Sequence, residues 1–182
     1  MANKWYALFS HTGSEIKNIQ KILKREPDGI FTSNQDYDGP LDVVYGNRNQ
    51  IEQHLMNIEP GSVVTLNGYR YLISAKTLDV LRQKDIKIIN IHPAPVYLDN
   101  YDELRGIDPH LRYYEGYLEG KYTCLGVTLH EVDEGIDTGR VVLGKHEKVA
   151  PGMSYRLFNS KLHAMGTLAW IQCLPKLLGL ED

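Results

Sequence analysis

Asn90 and His92 stand two residues apart in the stretch Ile88-Ile89-Asn90-Ile91-His92-Pro93-Ala94-Pro95. The first half is a short apolar, β-branched run that suits a buried parallel strand, and the two prolines that follow cannot continue one. The strand therefore has to stop near Ile91. In an open α/β sheet, ligands sit just beyond the carboxyl ends of strands, which is where this carboxamide and this imidazole fall. Side chains two apart on an extended segment point to the same side. An amide N–H and a protonated imidazole N–H converging on one point stabilise an oxygen that is gaining negative charge, which is what acyl transfer requires. Taken alone, the tripeptide also fits a structural role, with Asn90 tying down a turn and His92 a satisfied, half-buried histidine.

A second segment narrows the choice. Gly126-Val127-Thr128-Leu129-His130-Glu131 alternates like a strand and runs into Asp133-Glu134-Gly135-Ile136-Asp137-Thr138-Gly139, a loop with two glycines and three acids. Together, Asn90-Ile91-His92-Pro93 and this loop closely resemble the folate-dependent formyltransferases, the family of glycinamide ribonucleotide, methionyl-tRNA and sugar-nucleotide formyltransferases. The resemblance implies an α/β, Rossmann-like formyltransferase fold, with a mostly parallel central sheet flanked by helices, in a single catalytic domain over 1–182. It also implies N10-formyltetrahydrofolate as co-substrate and a primary amine on a small, nucleotide-linked acceptor. Asn90, His92 and Asp137 match the family's catalytic residues, and Asp133 and Gly135 are carried over to the folate site. A carboxylate within reach of His92 would raise the pKa of the imidazole and fix its orientation, so that the ring is cationic when the oxyanion forms. Asp133 and Glu134 also read as solvated loop acids, and His130 as either a pocket-lining or a core histidine.

Bulk properties exclude other classes. A chain of 182 residues with 42% hydrophobic content suffices for one domain with a substantial core. A net charge of −3 and a pI near 6.2 argue against a nucleic-acid footprint. The N-terminal residues lack an apolar signal core, and no run approaches the ~20 apolar residues needed to span a bilayer, so a cytoplasmic protein is expected. Cys124 and Cys173 lie in apolar runs as small hydrophobes, and the seven histidines are dispersed, so no metal is expected.

The remaining elements must position the two motifs. Lys4 to Phe9 reads as a first strand, Ser10 to Ser14 as a turn, and Glu15 to Lys24 as a helix with Ile16, Ile19, Ile22 and Leu23 on one stripe. The turn resembles the family's Gly-Ser-Asn segment, which holds a substrate phosphate, with Gly13 and Ser14 matching and Glu15 in place of Asn. A carboxylate stabilises a helix N-terminus but repels a phosphate there, so Glu15 either caps the helix or binds a hydroxylated or cationic part of the acceptor. Gly29 to Thr32 and Leu41 to Tyr45 are expected strands, and Asn49 to Asn57 an expected helix. Ser62 to Gly68 is a strand running into Tyr69 to Ser74, before a helix over Ala75 to Gln83. By resemblance, the backbone of Tyr71, Leu72 and Ile73 binds the pterin ring. The eleven residues Ala94 to Leu104 are longer than the family's counterpart and read as either an acceptor-shaping loop or an exposed decoration. Arg105-Gly106-Ile107-Asp108-Pro109 matches a family segment near the acceptor, which makes Arg105 a substrate-binding candidate. A helix over His110 to Leu118 follows. Val141 to Gly144 and His146 to Val149 form a short β pair, and Ser154 to Leu178 is a long helix bent or ended by Pro175. No further domain of the methionyl-tRNA formyltransferase kind is expected after Asp182. A formyltetrahydrofolate hydrolase and a catalytically silent folate- or nucleotide-binding module are the competing functions.

Overall fold

A computed structural model describes residues 3–106 and 108–180, so Ile107 of the Arg-Gly segment lies outside the described residues. The strands are β1 (Trp5–Phe9), β2 (Gly29–Thr32), β3 (Val44–Tyr45), β4 (Val63–Leu66), β5 (Lys87–His92), β6 (Cys124–Glu131) and β7 (Val141–Lys148). They form one sheet in the order β3-β2-β1-β4-β5-β6-β7. Pairing is parallel from β3 to β5 and antiparallel from β5 to β7. This is the mostly parallel, helix-flanked α/β sheet that the motifs imply.

The helices are α1 (Ser14–Leu23), α2 (Arg48–Asn57), α3 (Ala75–Gln83), α4 (Pro109–Leu118) and α5 (Tyr155–Leu177). Strand alternation divides the core between the two faces of the sheet. Trp5, Ala7, Phe9, Val63 and Ile89 pack with Ile16 of α1, Tyr113 of α4, and Phe158 and Trp170 of α5. Tyr6, Leu8, Val64, Leu66 and Ile88 pack with Ile51 and Leu55 of α2 and Leu78 and Leu81 of α3. Asn90 and His92 continue the register of Ile88, while Ile91 joins the α1/α5 side. Caps follow the sequence: Asn47 and Gln50 close a capping box on α2, and Ser74 and Ser154 accept the N–H groups of Thr77 and Leu157.

Three expectations change. The two short strands of 141–149 are one strand, β7, paired with β6 from His130↔Val141 to Cys124↔Lys148. Gly144 is no turn glycine there, because an added Cβ would come within 2.3 Å of the Tyr97 ring that packs over it. After β4 the chain leaves the sheet at Asn67, so 69–73 is irregular rather than extended along a neighbour. Pro175 does not end α5: the helix runs to Leu177, and the Leu178 N–H donates to Leu174 O.

Candidate active site

The carboxyl ends of β1, β4 and β5 open into a cavity of about 590 Å³, closed on the far side by the loop after β6. Asn90, His92 and Asp137 all line it. Asn90 Nδ2 donates to Asp137 Oδ1 at 3.1 Å, and His92 Nδ1 lies 3.1 Å from Asp137 Oδ2. The other ring nitrogen, His92 Nε2, meets the Leu104 carbonyl at 2.8 Å. Both neighbours of the ring, the Asp137 carboxylate and the Leu104 carbonyl, are hydrogen-bond acceptors.

Asp137 reaches this position in a left-handed backbone conformation, φ 54°. Aspartate tolerates that region better than most residues, and a non-glycine residue held there is a feature that concentrates at functional sites. The Gly106 N–H donates to Asp137 Oδ2 at 2.9 Å, and the Arg105 guanidinium donates to the Asp137 carbonyl and, at 3.1 Å, to Val96 O. Gly139 lets the loop close: an added Cβ would sit 1.8 Å from the Glu131 carbonyl. Burial pushes the Asp137 carboxyl up, but hydrogen bonds from His130 and His92, the His92 charge and the Gly106 N–H together hold it well below the usual carboxylate range.

His130 is the cluster member that the motifs left undecided. Its Nε2 lies 3.3 Å from Asp137 Oδ1 and 3.2 Å from Asn90 Nδ2, and its Nδ1 is 2.8 Å from Glu131 O. The antiparallel register sets Asn90 opposite His130, so the pairing of β5 with β6 was the signal that would have found it.

The other candidates divide. Tyr71, Leu72 and Ile73 line the cavity, and among the described residues their peptide groups form no backbone hydrogen bonds. Leu72 and Ile136, both in the cavity lining, are about half exposed, 57% and 50%. Asp133 and Gly135 line the same cavity. There Asp133 Oδ1 accepts from the Gly135 N–H at 3.0 Å and the Thr138 hydroxyl at 2.8 Å, which shapes the loop. Gly13, Ser14 and Glu15 line the α1 end. Glu15 makes no capping bond to α1; its carboxyl turns inward to Asn67 and Trp170. Arg105 is absent from the lining, since its guanidinium is occupied by the carbonyls of Val96 and Asp137.

The Ala94–Leu104 segment is no exposed decoration. Ala94, Val96, Tyr101 and Leu104 are buried in the core, and the Leu104 carbonyl is the one that meets His92. Among the described residues no group of His, Cys, Asp and Glu could hold a metal ion, and no helix is long and apolar enough to cross a membrane.

Comparison with known proteins agrees with this geometry. The phosphoribosylglycinamide formyltransferase of Schizosaccharomyces pombe is 25% identical over 181 residues, 96% of this chain and 84% of that protein. The enzyme of the same name from Bacillus subtilis is 26% identical over 141 residues, 76% of this chain and 66% of that protein. The crystal structure of phosphoribosylglycinamide formyltransferase from Brucella melitensis superposes with a TM-score of 0.78 at 18% identity, covering 100% of this chain and 98% of that one. The profile of the formyl transferase family matches residues 14–174, most of the 182, and the chain belongs to that family.

Proposed function

We propose that this chain, as a single cytoplasmic catalytic domain over 1–182, transfers the formyl group of N10-formyltetrahydrofolate to a primary amine. The acceptor is small and nucleotide-linked, of the glycinamide-ribonucleotide or amino-sugar-nucleotide kind. The observation that carries the reading is the His92 Nδ1 to Asp137 Oδ2 contact of 3.1 Å with Asn90 Nδ2 beside it, all three residues lining one cavity. The amine attacks the formyl carbon, a carbon–nitrogen bond forms, and the carbonyl oxygen gains charge. Asn90 and His92 turn their N–H groups to that oxygen, releasing Asp137 and the Leu104 carbonyl. Asp137 orients His92 and accepts the proton that the attacking amine loses, directly or through water. Asp137 then passes that proton to N10, the oxyanion collapses to the carbonyl of the new formamide, and the bond from carbon to N10 breaks, so that N10 leaves as the neutral secondary amine of tetrahydrofolate. Tyr71, Leu72 and Ile73 hold the pterin through their peptide groups, with Asp133 and Gly135 lining the same cavity, while Gly13, Ser14 and Glu15 face the acceptor.

Incubating the protein with N10-formyltetrahydrofolate and a panel of amines, and following tetrahydrofolate release, tests this. Amine-dependent release that falls about 10²–10⁴-fold in His92→Ala and Asp137→Ala is expected. Release without amine would make the protein a hydrolase. Folate binding with no release from any amine would make it a silent binding module.

A further inference from the structure

Glu15 is a titratable group in the cavity lining to which the reaction assigns no step, and its surroundings specify how it can hydrogen-bond. The Trp5 indole N–H, which can only donate, donates to Thr65 Oγ1 at 3.0 Å. The Thr65 hydroxyl lies 2.8 Å from Asn67 Oδ1, against 3.4 Å from the Tyr6 carbonyl, and donates to the nearer oxygen. Asn67 must then present Nδ2 to Glu15 Oε2, at 2.8 Å. The Trp170 indole N–H donates to the same oxygen at 3.3 Å. With a donor-only indole at each end, Glu15 Oε2 has to accept twice.

That leaves Oε1, which has no hydrogen-bond partner among the described residues. It stands against Gly166 of α5, where an added Cβ would come within 2.9 Å, and Glu15 and Gly166 both line the cavity. Burial pushes the carboxyl up, the Asn67 and Trp170 hydrogen bonds draw it back only in part, and no basic side chain is among the influences on it. The guanidinium groups of the lining belong to Arg48 and Arg70, and Arg48 is held by Glu52 at 3.0 Å. A ligand N–H or O–H against Oε1 would complete the carboxylate with a charge-assisted hydrogen bond. A phosphate there would face a like charge or force the acid to take up a proton.

We infer that Glu15 Oε1 receives an N–H or O–H of the acceptor, so that the acceptor end lying on α1 is a hydrogen-bonding group without phosphate. The inference rests on the formyl-transfer reading for calling that molecule an acceptor. An amino-sugar nucleotide, whose hydroxyl-bearing sugar is separate from its phosphates, meets the requirement; an amine on a ribose 5-phosphate does not.

The test is calorimetric titration of ribose 5-phosphate into wild-type protein and Glu15→Gln at about pH 8, well above the usual carboxylate range. Glutamine can keep the accepting oxygen toward Asn67 and Trp170 while presenting a neutral N–H₂ to the cavity, so the network is retained. The variant should bind ribose 5-phosphate about tenfold or more tightly than wild type, as relief of a like-charge contact predicts. Equal affinity, or no binding by either protein, overturns the inference. In formyl transfer, wild type should favour the phosphate-free member of acceptor pairs that differ only in that phosphate, and Glu15→Gln should narrow or reverse the preference. A wild type that favours the phosphorylated member also overturns it. Failure of the formyl-transfer reading looks different: tetrahydrofolate binds, no amine is formylated, and the ribose 5-phosphate result is unaffected.

Discussion

Two carboxyl groups in one cavity are driven in opposite directions by their neighbours. Asp137 receives hydrogen bonds from His92, His130 and the Gly106 N–H and stays ionised, whereas Glu15 is desolvated with only Asn67 and Trp170 to support its charge. Opposite shifts separate an electrostatic role from a recognition role within one site. They also make opposite predictions for stability against pH. The folded Glu15 pKa is raised, so its burial costs nothing below the unfolded value near about 4.3 and destabilises increasingly as pH rises toward the folded value. Glu15→Gln should therefore match wild type in thermal midpoint in acid and gain on it toward neutral pH. The folded Asp137 pKa is depressed, so its contribution is complete above about pH 5 and fades as pH falls. Asp137→Asn, which tolerates the same left-handed backbone, should be less stable than wild type at neutral pH and converge with it in acid. Midpoints measured across this range check both; a Glu15→Gln difference independent of pH would mean that the carboxyl is not desolvated.

At the scale of an element, the Ala94–Leu104 segment acts as a brace behind the cluster of Asn90, His92 and Asp137. Ala94 O accepts the Thr128 hydroxyl of β6 at 2.7 Å, and the Tyr101 hydroxyl accepts the N–H groups of Thr123 and Cys124 at 3.1 and 2.9 Å. The Tyr101 ring meets those of Tyr113 and Tyr122 at 6.1 and 4.9 Å between centroids. The segment thus joins the start of β6 to α4 and presents its last carbonyl, Leu104 O, to His92. Tyr101→Phe preserves the ring and strands two N–H groups, so it should cost about 1–3 kcal/mol in urea denaturation. An unchanged midpoint would return the segment to the status of decoration.

Over the whole molecule, the sheet separates two cores, and each contributes residues to the cavity. Asn90 and His92 approach it from the α2/α3 side of β5, and Glu15, Asn67 and Trp170 from the α1/α5 side. Loosening either core therefore disturbs one half of the site. Cys173, buried on α5 in the same core as Trp170, reports on that side: burial pushes its thiol up to about 11. It should resist a thiol reagent at neutral pH in the folded protein and react as the protein unfolds in denaturant. Reaction well before the loss of secondary structure would show that the α5 side opens separately from the rest.

What the sequence determined by itself was local. A β-branched run ending in proline fixes where β5 stops, and the two-residue period then puts Asn90 and His92 on one side of it; Asp137 came from the resemblance of its loop to that of the formyltransferase family. Those features need no knowledge of distant partners. The tertiary structure decided everything that depends on which residues meet across the chain. His130 entered the cluster through antiparallel register with Asn90, and Glu15 lost its choice of roles to Trp170, 155 residues away. The Arg105 guanidinium settled on two carbonyls of its own chain, and Gly144 became the floor under Tyr97 instead of a turn. The physical reason is the same in each case. A polar side chain or a glycine carries several possible partners in its covalent structure, and only close packing removes all but one.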